Sequence, residues 1–435
     1  MFEHLNFIVN FQNADYSDLS IPEKDRRILR DLGKKVAEIA GRPIMEERKK
    51  LWTDHNGLKG ARPVVLCDPE NGWNEIITDD EIQCSNSIAR HWECDLRKQV
   101  FWGDEMDDDY VVEPFFNSVH VFAETAWGIE GLAKHSTEFH AVQDGGAYHI
   151  DTILDDFDDQ FDKIEPPVMS IDFSLTEKVH ALAQEIFDGS ITPRLKTWWF
   201  WSTGPTDEYI KLRGMQNMLL DFYDHPEYVH KTMELIQAWT VKRLEFLEHQ
   251  GLLTLNNGGS YVGSGGQGFT DELPAPDFSG HVRLKDMWGL SESQSSVGVS
   301  NEMFDEFIFR YQQPVMERFG LSCYACCEPM DDRIDLVRRT KNLRRVSVSN
   351  WADKNVMAEK LGRDYIYSVK PNPANISNPT IDRDLVHQEI RGILESAKNN
   401  CLELVMKDNH TLGKNRENIK EWVTIVRDEM TRMGY

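Results

Sequence analysis

Short apolar runs alternating with amphipathic stretches set the rhythm of this chain, most clearly in its second half. Residues 321–325, 345–349, 365–369 and 402–406 are β-rich runs, and 331–339, 353–361, 382–398 and 416–433 carry helical spacing of apolar positions. Earlier, 63–67, 110–122, 197–201 and 252–255 predict four more strands, while 227–250 and 302–319 predict long helices stopped by Gly251 and Gly320. Eight short strands, each followed by helical sequence and apolar enough to be buried on both faces, predict an α/β protein built as a (βα)8 TIM barrel. A doubly wound open sheet is the alternative.

The first half carries additions to that plan. Ile28, Leu29, Leu32, Val36 and Ile39 fall on one helical face over 21–40, closed by Gly41-Arg42-Pro43. With the basic stretch that follows, residues 1–60 are expected to form an N-terminal helical extension. The barrel then spans 61–435, interrupted at about 124–193 by an insertion with an acidic helix through Asp162 and a helix over 175–187.

Charge and cysteine content narrow the function. With 48 basic against 73 acidic residues the net charge is −25, which repels nucleic acid and anionic membrane. The N-terminus lacks the basic region and apolar core of a signal peptide, and no apolar run approaches the roughly 18 residues a membrane span needs. Seven scattered cysteines make no disulfide framework; a cytoplasmic protein is expected.

Candidate chemistry collects at the predicted strand ends, where the loops of a barrel converge. Those ends bring Trp73 and Glu75, Thr203, Asn257 and Tyr261, Cys326 to Glu328, Asn350 and Trp351, Lys370 to Asn372, and Lys407 to His410 to one mouth. Cys326 and Glu328 are two apart and point the same way in extended chain. Either Cys326 or Cys327, with Glu328 and His410, would make a three-ligand site with one open position, the form of a catalytic zinc. The bland readings are packed thiols, Glu328 paired with Arg333, and His410 bonding a substrate. The Gly258–Gly268 segment lacks the Lys-Ser/Thr ending of a phosphate loop and reads as a mobile active-site loop. Most of the twelve tryptophans read as core. No nucleophile elbow, His-Glu-x-x-His or dinucleotide fingerprint occurs.

Over roughly residues 195–435 the chain resembles the uroporphyrinogen decarboxylase superfamily. The resemblance rests on Tyr223-Asp224-His225-Pro226-Glu227, Leu290-Ser291-Glu292, the Cys326 segment, Val369-Lys370-Pro371-Asn372-Pro373 and Glu417-Asn418-Ile419. It implies a (βα)8 barrel and, in the superfamily's zinc branch, methyl transfer to or from a corrinoid on a partner protein. Where the decarboxylases carry Arg-Gln-Ala-Gly-Arg this chain has Cys67-Asp68-Pro69-Glu70-Asn71-Gly72-Trp73, which argues against porphyrinogen decarboxylation. The zinc branch has His-x-Cys after strand five and Cys after strand eight; here Cys326-Cys327-Glu328 and Asp408-Asn409-His410 permute those ligand types.

The resemblance therefore implies a zinc-containing, corrinoid-dependent methyltransferase or demethylase acting on a small methyl ether, with an aromatic one suited to the tryptophan-rich mouth. Cys326, Cys327, Glu328 and His410 are the metal candidates and Glu75, Lys370 and Asp408 the catalytic ones. Trp73, Asn257, Tyr261 and Asn372 are candidates for holding substrate. Implied partners are a small methyl donor or acceptor and a corrinoid-binding protein; a homodimer is compatible with the sequence, which does not fix the oligomer. A metal-free decarboxylase or lyase and a non-catalytic tetrapyrrole-binding barrel are the alternatives.

Overall fold

Six of the short apolar runs assemble into one parallel sheet. The structure is a computed structural model describing residues 16–130, 138–141, 148–196 and 202–435. In chain order its main strands are β1 (Val64–Cys67), β2 (Phe115–Val119), β3 (Thr192–Lys196), β4 (Trp288–Ser291), β5 (Leu321–Tyr324), β6 (Leu343–Val348), β7 (Ile366–Val369) and β8 (Cys401–Met406). The large sheet runs β1-β8-β7-β6-β5-β4, all parallel, while β2 and β3 pair parallel with each other. Every residue of β1, β4, β5, β7 and β8 is buried, as expected of strands covered on both faces.

The helices that cover the sheet follow the spacing of their apolar residues. The N-terminal pair, α1 (Glu23–Ala40) and α2 (Pro43–Asn56), precedes β1; α1 packs Leu29, Gly33, Val36 and Ile39 inward, against α3 (Ser87–Phe101) and α4 (Phe173–Phe187). α5 (Pro226–His249) starts on a proline at its first position, where no amide hydrogen is needed. Asp353 and Asp382 cap α6 (Lys354–Leu361) and α7 (Arg383–Ser396) through their carboxylates, and α8 (Glu417–Arg432) ends the chain's helices. Over 301–316 the helical run contains a π-turn, Asp305–Phe309.

Three expectations change. The 252–255 run is not a strand, and Trp288–Ser291, not expected from the sequence, is. The 110–122 run yields β2, which joins β3 rather than β1. Between β2 and β3 the chain makes three successive antiparallel pairings, Phe122–Glu124 with Met169–Ile171, Gly128–Ile129 with Ile164–Glu165 and Glu138–Ala141 with Tyr148–Asp151, before α4. The predicted 197–201 strand lies outside the described residues.

Among the described residues the six-stranded ladder does not close on itself, and side chains satisfy its two edges. Along β1, Asp109 Oδ2 accepts from Val65 N, Asp108 Oδ2 accepts from Cys67 N, and Asp109 N donates to Val65 O. Along β4, the Asn256 amide accepts from Trp288 N and donates to Trp288 O, as a strand's peptide would. Gln267 repeats that arrangement on Val111, accepting from its N at 2.7 Å and donating to its O at 3.1 Å. The glycine-rich segment thus runs between the two edges, and residues 262–270 are buried.

That burial corrects the expected mobile loop and explains the glycines. Gly265 has φ +104°, and a Cβ there would lie 2.5 Å from Val405 Cγ1; at Gly266 it would lie 3.0 Å from the Arg345 guanidinium. Only a chain without side chains can approach the sheet so closely. Beneath it, Arg345 of β6 pairs with Glu403 of β8 at 2.9 Å, and His55 of α2 meets the same carboxylate at 3.0 Å.

Candidate active site

The carboxyl edge of the sheet concentrates strained backbone and buried polar groups. Backbone bonds carry the ladder one residue past β1, β5 and β7: Asp68 N to Met406 O, Ala325 N to Ser291 O and Lys370 N to Val348 O. There Glu70 (φ +49°), Ala325 (φ +73°) and Asp408 (φ +61°) adopt left-handed conformations without being glycine. Such strain gathers at functional sites because the surroundings must enforce it. Tyr261 Oη, Ser291 Oγ, Ser349 Oγ and Asn409 Oδ1 are buried without hydrogen-bond partners among the described residues, and all four belong to strand ends or the segment over them. Buried polar groups left unpaired point to an absent ligand or water.

Cys326 is the centre of this edge. Its Sγ receives the Lys407 ammonium at 3.6 Å and the Ser264 hydroxyl at 3.2 Å, and lies 3.4 Å from Cys327 Sγ. Lys407 also pairs with Asp408 at 2.9 Å and Glu70 at 3.4 Å, while Cys327 Sγ lies 3.6 Å from Asp408 Oδ2. The bond from Cys327 holds the Cys326 thiol below its usual range, against burial and with help from Lys407. Burial pushes Glu70 up to about 8 despite Lys407, with Asp408 and Asp68 adding to the rise. Lys407 is held well above the usual lysine range because Asp408, Cys326 and Glu70 together outweigh its burial. One ammonium therefore faces three acids, and against burial its pairing with Asp408, helped by the Cys327 thiol, holds that carboxyl below the usual carboxylate range.

The site residues expected from the sequence divide into two groups. Cys326, Cys327 and Asp408 come together, and Tyr261 and Lys370 join them electrostatically. Lys370 is buried, bonds Ser368 Oγ at 2.6 Å, and is brought down to about 8 by burial, with Lys407 and Arg345 nearby. The rest serve the scaffold. Glu75 accepts from Thr411 Oγ1, Leu412 N and Lys414 N, tying down the loop after β8. Asn372 caps the turn Pro373–Ile376, Asn257 donates to Leu273 O, and Trp73 packs on Phe101 and Trp102 with its indole N–H on Asp68.

The expected zinc ligands do not converge. Glu328 is buried with one carboxylate oxygen accepting from Ser293 N at 2.7 Å and the other from Cys326 N at 2.9 Å. Its expected alternative partner, Arg333, bonds Ser296 and Val299 O instead. His410 is exposed, with Nδ1 3.4 Å from the Asn71 amide. Among the described residues no three His, Cys, Asp or Glu side chains form a group able to hold a metal ion. The donor set therefore does not fit the zinc site that the ligand types suggested.

Lys407 was expected at the mouth but given no role, and Glu70 and Ser264 were not singled out. Glu70 also lies in an expected strand-end loop, so position alone could have raised it; nothing in the sequence marks Ser264 apart from its glycine neighbours.

No family model matches the chain, and no curated protein does. Among solved structures, a methyltransferase from Methanosarcina mazei is similar over 67% of this chain and 75% of that one, at 10% identity and a TM-score of 0.39. A likeness that loose carries no weight for function. No helix of the described residues is long and apolar enough to cross a membrane.

Proposed function

We propose that this chain is an enzyme that moves a methyl group between a small thiol- or hydroxyl-bearing substrate and a corrinoid carried on a partner protein. The observation that carries the reading is the Cys326 sulfur, buried at the carboxyl edge and ringed by the Lys407 ammonium, the Ser264 hydroxyl and the Cys327 thiol. The resemblance of residues 195–435 to the uroporphyrinogen decarboxylase superfamily supports it. A corrinoid, when docked, supplies the cobalt that gives or takes the methyl group. The residues here handle the proton: an acceptor must lose one to become nucleophilic, and a demethylated group must gain one. A cysteine whose thiolate is stabilised by an ammonium is suited to both directions. Tyr261 Oη, buried without a hydrogen-bond partner among the described residues, is placed to orient the substrate's heteroatom.

The test follows cobalamin spectra with the full-length chain and a panel of methylated ethers and thiols. The expected result is methyl exchange that falls at least about 100-fold in Cys326→Ala, the scale of a lost general base. Absence of exchange across the panel would overturn the reading. A metal-free decarboxylase is the second reading, favoured by Lys370, a buried ammonium hydrogen-bonded among the described residues to Ser368 alone and suited to a substrate carboxylate; it would release CO2 from a carboxylic acid substrate with no corrinoid present.

A further inference from the structure

Lys407 faces a thiol and two carboxylates, with the Cys327 thiol behind them, ligand types that a soft divalent ion takes elsewhere. Here a side chain already stands among them. Lys407 is 3% exposed at the end of β8, and its ammonium lies 2.9 Å from Asp408 Oδ1, 3.4 Å from Glu70 Oε1 and 3.6 Å from Cys326 Sγ. These acceptors come from β1, β5 and β8, so the ammonium bridges three strand ends as a metal would. The carboxylates are also fixed independently of it: Glu70 Oε2 accepts from Asp408 N at 3.1 Å, and Asp408 Oδ2 faces the Cys327 thiol at 3.6 Å. The donors stand at ammonium distances, beyond the roughly 2.0–2.3 Å of a bound zinc, which is why among the described residues they form no metal-holding group with the lysine in place; removing the lysine leaves three donors facing one place, on which they would close by about 1 Å to take an ion.

We infer that the Lys407 ammonium is the built-in cation of this site, occupying the place of a divalent metal among Cys326, Asp408 and Glu70, so that the sulfur works as an ammonium-paired thiol. An ammonium differs from a metal in what it does there. It neutralises the thiolate and donates hydrogen bonds, but it does not bind a substrate heteroatom as a Lewis acid. The wild-type chain then needs no metal, and loss of Lys407 creates a site for a soft divalent ion.

Cobalt(II) is the probe, because bonding to a cysteine thiolate gives an intense near-ultraviolet charge-transfer band absent with oxygen ligands alone. Full-length wild type, Lys407→Ala and the double variant Lys407→Ala/Cys326→Ser are titrated with Co2+, with folding checked by circular dichroism. Wild type is expected to show no thiolate band, Lys407→Ala a band saturating near one equivalent, and the double variant none. Zinc is also measured in wild type purified without chelator, where the expected content is far below one equivalent. Two results would each overturn the inference: near-stoichiometric zinc in wild type that Cys326→Ser abolishes, or a folded Lys407→Ala that takes up no cobalt. If Lys407→Ala does not fold, the wild-type zinc and cobalt measurements decide alone. Both readouts are independent of turnover, so they separate this inference from the methyl-transfer reading.

Discussion

A non-glycine residue held near φ +60° carries about 1–2 kcal/mol of strain, and Ala325 spends that strain immediately before the reactive sulfur. Its N–H continues the ladder to Ser291 O, while Ser347 Oγ bonds the carbonyl of Cys326 at 2.9 Å. Backbone twist and anchoring together turn Cys326 toward Lys407 instead of outward along the strand. Glycine at 325 would relieve the strain but loosen that aim. Ala325→Gly is therefore expected to raise stability by about 1 kcal/mol, a typical gain where glycine replaces a left-handed residue, while methyl-exchange turnover falls several-fold. Denaturant melts paired with steady-state rates test this; a variant both less stable and fully active would show that the conformation is incidental.

Between elements, the pairing of β6, β8 and α2 through Arg345, Glu403 and His55 is the main buried ionic connection beneath the site. Burial opposes ionising Glu403, but Arg345 and His55 overcome it and bring the carboxyl down to about 2. Burial likewise opposes charging His55, yet Cys401 and Glu403 lift it to about 9. The depressed carboxyl contributes stability above its ordinary value near 4.5, lost as pH falls through about 2; the raised imidazole contributes below 6.5, lost as pH rises through about 9. Stability from this network should be greatest between pH 4.5 and 6.5. Glu403→Gln leaves Arg345 and His55 without their anion and should cost about 3–5 kcal/mol there, as broken buried pairs do. Urea titrations at pH 5.5 and 9.5 should show that loss shrinking at the higher pH without vanishing, because Arg345 stays charged. A pH-independent difference would mean that His55 does not titrate in the folded chain.

The same scale shows what the sequence could convey. The strands β5 to β8 were legible because short β-rich runs alternate there with helical spacing of apolar positions. Trp288–Ser291 was not, because Gly289 and Ser291 break its β character. Gly289 is needed for packing: a Cβ there would lie 2.5 Å from the Phe319 ring. Cys326 and Asp408 meet around Lys407 because both stand at strand ends, the one feature of them that the sequence shows. Glu328 was misplaced because alternation in extended chain fails once Ala325 turns left-handed. Lys407 was placed at the mouth but given no role, because a lysine in a loop usually reads as a solvated charge.

At the scale of the whole molecule, how the sheet's edges are completed matters most, because the site spans strands near both ends of the ladder. Asn256 makes two bonds to Trp288 at the β4 edge, and Gln267 makes two to Val111 beside β1. The ten residues between the two amides include Tyr261 and Ser264, so both clamps position the segment that reaches Cys326. Each amide replaces a missing strand's peptide, and truncating one leaves a buried backbone donor and acceptor unpaired. Asn256→Ala and Gln267→Ala should each cost about 2–4 kcal/mol, from bonds worth about 1 kcal/mol apiece plus the penalty for the orphaned groups. If the segment acts as one brace, the second truncation should cost less than the first, since the brace is already released. The double variant would then lose less than the sum of the singles, by about 0.5–3 kcal/mol, the range for sites sharing a structural unit. A double-mutant cycle on denaturant unfolding, with hydrogen exchange at the Val111 and Trp288 amides, measures this directly. Strict additivity, with exchange rising only at the amide next to each substitution, would mean that the edges are sealed independently and that the glycine-rich segment is carried between them without bracing the site.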